Sequence, residues 1–275
     1  MRHALYSGVT IFVTNERYEL SGATMRASQI LAASSHRPWP LPNAPWVMSQ
    51  RWHNLLFAHW PLPPEVLRPL VPATLPLDTF EDQAWVGVVP FRMRGVRPRL
   101  LPPLPWLSSF PELNVRTYVT LDEKPGVYFF SLDASNPIAV ALARAFFHLP
   151  YFRAAMGCVR DRDAIVYTSQ RTPQTGERAA ALRATYRPTG PVFRAAPGTL
   201  DHWLTERYCY YAPTASGHIY RCEITHAPWP LQPAELAIVS NTVAASHGIE
   251  LPNTPPLLHF AGRQDILAWW PKRIT

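Results

Sequence analysis

The chain has 275 residues and a mass of 31.1 kDa, 47% of it apolar and 16% charged, so it can bury a full core and is not a disordered chain. Its 26 Lys+Arg outweigh 19 Asp+Glu to give a net charge of +7, yet only two of those cations, Lys124 and Lys272, are lysines. The arginines run along the whole sequence rather than along one face or tail, so no nucleic-acid partner is expected, and 31 scattered prolines disfavour long helices and point to a β-rich body.

Residues 1–40 read as an N-terminal tail and a proline-rich lead-in that ends in His36-Arg37-Pro38-Trp39-Pro40. A short strand over residues 9–13 is the one element considered there, and Met25 and Met48 offer later starts. The apolar patch Val9 to Val13 is too short for a signal-peptide core, and no run approaches the roughly 20 residues of a membrane span. The expected location is the cytoplasm, with no membrane partner. Residues 41–275 are expected to form a single domain.

Within that domain, Arg51 to Trp60 reads as a buried strand, Pro63-Pro64-Glu65 opens a short helix that Pro69 stops, and Trp85 to Phe91 reads as another strand. The run Arg92 to Arg99 is expected to be a solvated loop, although Arg92 and Arg94 could aim two guanidiniums at one anion. Next comes strict alternation: Leu113, Val115, Thr117 and Val119 share one parity, while Glu112, Asn114, Arg116 and Tyr118 share the other. A turn near Asp122 to Gly126 leads to Val127 to Leu132, which completes a hairpin.

Ser135 or Asn136 then caps a helix with Pro137 in its first turn, running from Ile138 to Leu149. Apolar on nearly all sides, it is expected to lie inside the protein. Further helices are expected from Gly198 or Thr199 and from Pro233 to Gly248, with strands over 164–170, 181–186, 217–226 and 265–270.

Several chemistries have no support in the text. There is no Gly-rich phosphate loop, no GxSxG and no HExxH, and Cys158, Cys209 and Cys222 lack CxxC spacing. His53 and His59 would share one strand face by parity, but no third ligand can be placed, so no metal and no cofactor is expected. The polar face Glu112, Asn114, Arg116, Tyr118 has two open readings: a solvated outer face, or the lining of a barrel pocket where carboxylate, amide, guanidinium and phenol converge on a small ligand.

The segments Phe110 to Val119, Tyr128 to Asp133 and His148-Leu149-Pro150-Tyr151-Phe152 resemble the core of acetoacetate decarboxylase. From about Trp39 to Lys272 the chain is more closely similar to the uncharacterised YqjF-like family, a domain-of-unknown-function branch of that superfamily. Trp85 to Val96, Tyr186 to Gly190, Thr205 to Cys209 and His226 to Leu231 carry this likeness. The resemblance implies a mainly β, α+β fold: a cone-shaped antiparallel β-barrel whose cavity is plugged by a buried helix, with a few peripheral helices. Homo-oligomers are common among the decarboxylases, which leaves a homo-oligomer open here.

The decarboxylases form a Schiff base through a lysine directly after the helix-ending proline, its pKa lowered by its surroundings. By resemblance that place is Tyr151 here, with Phe152 at a second lysine position, and a phenol cannot form an imine. Glu112 matches a pocket glutamate, Arg51 matches a pocket arginine once a two-residue gap is opened, and Arg116 replaces a small residue with a cation. The expected function is an internal cavity for a small anionic, keto-acid-like molecule. Glu112 and Tyr151 would be the catalytic pair, with Arg51, Asn114, Arg116, Tyr118 and His148 as ligand-binding residues. Two readings stay open: lysine-independent lyase or isomerase chemistry, and a non-catalytic binding or sensing module.

Overall fold

The computed structural model describes residues 25–104, 106–171 and 178–275, so the strand considered at residues 9–13 lies outside them. Among the described residues, the first six strands are β1 (Met48–Leu62), β2 (Ala84–Pro98), β3 (Phe110–Leu121), β4 (Lys124–Ala134), β5 (Tyr151–Asp161) and β6 (Ala164–Arg171). They are followed by β7 (Ala181–Pro188), β8 (Cys209–Pro213), β9 (Ile219–Thr225), β10 (Leu231–Asn241), β11 (Leu257–Ala268) and β12 (Lys272–Arg273). Four short helices accompany them: α1 (Ala27–Ala32), α2 (Pro64–Leu67), α3 (Pro137–Phe147) and α4 (Leu200–Thr205).

All twelve strands join one sheet in the order β12-β9-β8-β4-β3-β2-β1-β11-β10-β7-β6-β5, and two extra pairings close it on itself. Antiparallel β9–β11 contacts complete a ring through β8, β4, β3, β2 and β1, and a parallel β4–β5 contact, Leu132 opposite Tyr151, completes a second through β10, β7 and β6. Closure removes most sheet edges and gives the shared strands two interiors. The mainly β architecture is the one expected from the sequence.

The alternation in β3 sorts its side chains between these interiors. Leu113 and Val115 join Val86 and Val88 of β2 and Tyr167 and Tyr186 of β6 and β7 in a close-packed apolar core. The opposite face, beginning with Glu112, looks into the other ring. Asp122 and Glu123, both at positive φ (52° and 58°), make the tight β3–β4 turn.

A second device changes which side chains of β1 face inward. Asn54 sits at φ 51°, the pairing with β2 slips between His53 and Ala58, and Tyr186 Oη donates to the Asn54 carbonyl at 2.7 Å. An inserted residue of this kind reverses side-chain parity. Gln50 and Trp52 therefore point the same way as Leu55 and Phe57. The expectation that His53 and His59 share a face fails for this reason.

Three other expectations are corrected. The segment from Pro233 is strand β10, not a helix, because Ala234 to Asn241 pair with β7, with one register shift between Ile238 and Ser240; only Ala245–His247 is helical, a single 3-10 turn stopped by Gly248 at φ 76°. The Arg92 to Arg99 run is not a loop, since β2 continues to Pro98 against the first half of β1. Helix α3 is capped by Asn136 as expected, its Oδ1 accepting from the Ile138 and Ala139 amides, but of its residues only Val140 is buried.

Residues 25–40 pack on this body. Ile30 of α1 lies against Leu267 and Trp269, and the buried Arg37 guanidinium pairs with Glu223 at 3.1 Å.

Candidate functional site

A cavity of about 250 Å³ lies inside the ring formed by β1–β4, β8, β9 and β11, with α3 across it. Glu112, Asn114 and Arg116, the polar parity of β3, are all buried and all line it. Between and opposite them the wall is apolar, with Trp52, Phe91, Met93, Phe129 and Leu132 among the lining side chains. The polar face of β3 is therefore an interior face rather than a solvated one.

Glu112 marks one end. Its Oε2 accepts a hydrogen bond from Tyr151 Oη at 2.7 Å, and its carbonyl accepts from Tyr167 Oη at 2.6 Å. Tyr151 opens β5 just after α3, where its backbone pairs with Leu132 and its carbonyl accepts from Arg144 Nε at 2.6 Å. Burial pushes the Glu112 carboxyl up from 4.5 to about 8, while the Tyr151 hydrogen bond pulls the other way. Burial also drives the Tyr151 phenol well above its usual range, and the neighbouring Glu112 adds to that shift. At neutral pH both groups hold their protons.

Arg116 marks the other end. Its backbone lies four residues further along β3, about 13 Å away at strand rise, and among the described residues no ion pair joins it to Glu112, whose carboxyl bonds Tyr151 instead. Its Nη2 donates to Tyr118 Oη at 3.2 Å and to the Leu204 carbonyl at 3.3 Å, and the guanidinium lies 5.1 Å from the Phe57 ring centre. Tyr118 Oη donates to the Leu204 carbonyl at 2.9 Å, so its lone pairs receive Arg116 and, at 2.6 Å, His59 Nε2. His59, wholly buried beside Arg116, is held well below its usual pKa first by desolvation and then by that charge. It is therefore neutral.

Arg97 and Arg207 also belong to the lining, and Arg207 is the buried one of the two. Its Nη1 pairs with Asp78 Oδ2 at 2.5 Å and its Nε donates to the Trp203 carbonyl at 2.6 Å. Four buried polar atoms of lining residues have no hydrogen-bond partner among the described residues: Asn114 Oδ1, Arg116 Nε, Arg207 Nη2 and Trp229 Nε1. Buried polar groups are ordinarily satisfied, so these four atoms leave hydrogen-bonding capacity in the cavity lining.

The structure thus brings together Glu112, Tyr151, Asn114 and Arg116, with Tyr118 directly behind Arg116. Arg51 and His148 do not line this cavity. Arg51 has the opposite parity from Gln50 and Trp52, and its guanidinium fills the space beside Gly95, whose φ of 58° and missing Cβ make room for it. His148 ends α3 in the left-handed region at φ 54°, with its ring 4.4 Å from that of Tyr220. Arg92 and Arg94 also lie outside the lining, while Met93 between them belongs to it. Neither lysine lines the cavity: Lys124 Nζ pairs with Glu223 at 2.9 Å, and Lys272 is exposed on β12.

Sequence reasoning missed Arg207, Trp229 and Trp52 as lining residues. The first two sit in Thr205 to Cys209 and His226 to Leu231, stretches already distinctive as text, but their inward direction depends on the irregular segments after α4 and β9.

Comparison with known proteins gives the fold a family. A sequence model for the uncharacterised conserved proteins called DUF2071 matches residues 49–265. The uncharacterised protein YqjF of Bacillus subtilis (strain 168) is 50% identical over 229 residues, which are 83% of this chain and 93% of that one. Among solved structures, an acetoacetate decarboxylase aligns with a TM-score of 0.56 at 17% identity, covering 91% of this chain and 98% of the other. The acetoacetate decarboxylase of Legionella pneumophila gives 0.55 at 15% identity over 93% and 98%. The enduracididine biosynthesis enzyme MppR, complexed with the condensation product of pyruvate and imidazole 4-carboxaldehyde, gives 0.56 at 8% identity over 84% and 90%. At such identities the structural likeness establishes the fold alone. The chain belongs to the YqjF-like DUF2071 family and has an acetoacetate decarboxylase-like fold.

Proposed function

We propose that the cavity binds a small carboxylated, keto-acid-like molecule and that Glu112 with Tyr151 exchanges a proton with it, without a covalent lysine intermediate. The observation that carries this reading is the separation of two unlike groups on one strand face. Arg116 has no carboxylate partner among the described residues, and at the far end Glu112 is a carboxyl whose pKa is pushed up to about 8. A guanidinium in a dry cavity attracts an anionic group strongly. A carboxyl poised near 8 can give a proton to a carbonyl oxygen or, once ionised, take one from an adjacent carbon. Tyr151 already donates to Oε2, which leaves Oε1 to present the carboxyl proton to a bound molecule.

Neither the length of the cavity nor its apolar wall suits a two-carbon anion alone. A keto acid with an apolar body spans the distance from Arg116 to Glu112 better, with Asn114 between them. The likeness of the fold to MppR, whose structure holds a pyruvate condensation product, supports the same ligand class.

Calorimetric titration with pyruvate and with longer 2-oxo acids tests the binding half. Affinity should rise with chain length and fall by about tenfold or more in Arg116→Met. Unchanged affinity in that variant would overturn the anion assignment. Borohydride trapping with acetoacetate tests the covalent half: no adduct is expected, and a mass shift on Lys124 or Lys272 would contradict it.

A further inference from the structure

The cavity opens beneath an apolar collar that no described residue covers. Pro98 and Leu142 are lining residues that are also exposed, so they mark the opening. Around it the segment after β2 presents Leu100 (89% exposed) and Trp106 (63% exposed), α3 presents Phe146 (53% exposed), and the chain after β11 presents Trp270 (57% exposed). These pieces are tied into one surface. Asn136 Nδ2 donates to the Trp106 carbonyl at 2.9 Å, and Trp270 lies 6.2 Å from Phe146 and 5.5 Å from Phe147 between ring centres. Along α3, Ile138, Leu142 and Phe146 recur every fourth residue on the outward side, while Ala139, Ala143 and Phe147 line the cavity.

Charge distinguishes this collar from an ordinary apolar patch. Residues 84–111, 134–160 and 266–275, which supply it, contain no Asp or Glu at all. Arg99, Lys272 and Arg273 lie exposed within those same segments. A second copy of the chain docked here would set these cations against their equivalents with no acid to answer them. An anionic lipid surface answers both features, taking Trp and Leu side chains at headgroup depth and attracting the flanking cations.

We propose that the collar docks on an anionic lipid surface and holds the cavity opening against the bilayer. This replaces the sequence expectation of no membrane partner. It concerns peripheral association only, as no helix among the described residues is long and apolar enough to cross a membrane. It does not depend on the ligand assigned to the cavity.

The test is flotation of the full chain with phosphatidylcholine vesicles, with and without phosphatidylglycerol. The wild type should float with the anionic vesicles and be released by added salt. Trp106→Ser combined with Phe146→Ser should reduce the bound fraction by about tenfold or more at an unchanged melting temperature, and Arg99→Glu should weaken binding to anionic vesicles alone. Equal flotation with both vesicle types, no flotation, or full retention in the double variant would each overturn the proposal. If vesicles capture nothing while sedimentation shows a dimer that Phe146→Ser dissolves, the collar belongs to a second copy instead.

Discussion

The two faces of β3 are equally buried and chemically opposite. On one, Leu113 and Val115 vanish into a close-packed core with the tyrosines of β6 and β7; on the other, Glu112, Asn114 and Arg116 surround a cavity and leave polar atoms unmatched. The first face lowers the free energy of folding. The second raises it, because a buried carboxyl and an incompletely bonded guanidinium both lose hydration. Burial alone therefore says little about what a residue is for, and the sign of its contribution to stability says more.

The sharpest way to break this contrast is to truncate one residue on each face. Leu113→Ala should cost about 2–5 kcal/mol in urea unfolding and leave ligand binding near wild type per folded molecule. Glu112→Gln should be nearly neutral or stabilising at pH 7, since the amide oxygen still accepts from Tyr151 and no buried carboxyl remains, while its effect falls on ligand binding and turnover. A large loss of stability in Glu112→Gln with unaltered binding would assign Glu112 to the frame of the protein.

A pH series sharpens the same comparison. Folded Glu112 keeps its proton up to about pH 8, whereas in the unfolded chain it is lost above about 4.5, so unfolding releases a proton between those values. Rising pH in that window should therefore lower wild-type stability, by at most about 1.4 kcal/mol per unit from this group. The gap between Glu112→Gln and the wild type should widen from pH 5 to 8 and stay flat below. His53 and His247, held near 3 and 4 chiefly by burial, act in the opposite direction below pH 6.5, and they cancel because both proteins share them. A gap that does not change with pH would show that Glu112 ionises normally.

The smallest expected effect concerns the device that aims β1. Asn54→Val forces a β-branched side chain into the left-handed region and should cost about 1–2 kcal/mol. It should also disturb the inward direction of Trp52, read as a change in tryptophan emission. Asn54→Gly should restore both.

Much of this arrangement was legible in the sequence, and the exceptions share a cause. Strict period two in β3 announced two faces, and the Ser135-Asn136-Pro137 start announced α3, which ends at Phe147, two residues before the expected Leu149. The pair His53 and His59 misled because parity counting assumes an uninterrupted strand, and Asn54 interrupts it in a way no apolar pattern records; Arg51 rested instead on a likeness that needed a two-residue gap. The Pro233 segment misled because Leu236, Val239 and Val243 fit a helical stripe, while pairing with β7 made Leu231–Asn241 a strand and left Val243 in the turn beyond it. The apolar run in α3 correctly signalled contact on its cavity side. The outward half of that signal, Ile138, Leu142 and Phe146, stays exposed among the described residues.

One titration decides the central claim that β3 presents a protonated carboxyl to the cavity. Infrared difference spectra of the wild type against Glu112→Gln, recorded from pH 5 to 9, should contain a protonated carboxyl band that disappears with a midpoint of about 8. A carboxylate already present at pH 5, titrating near the ordinary 4.5, would contradict the account.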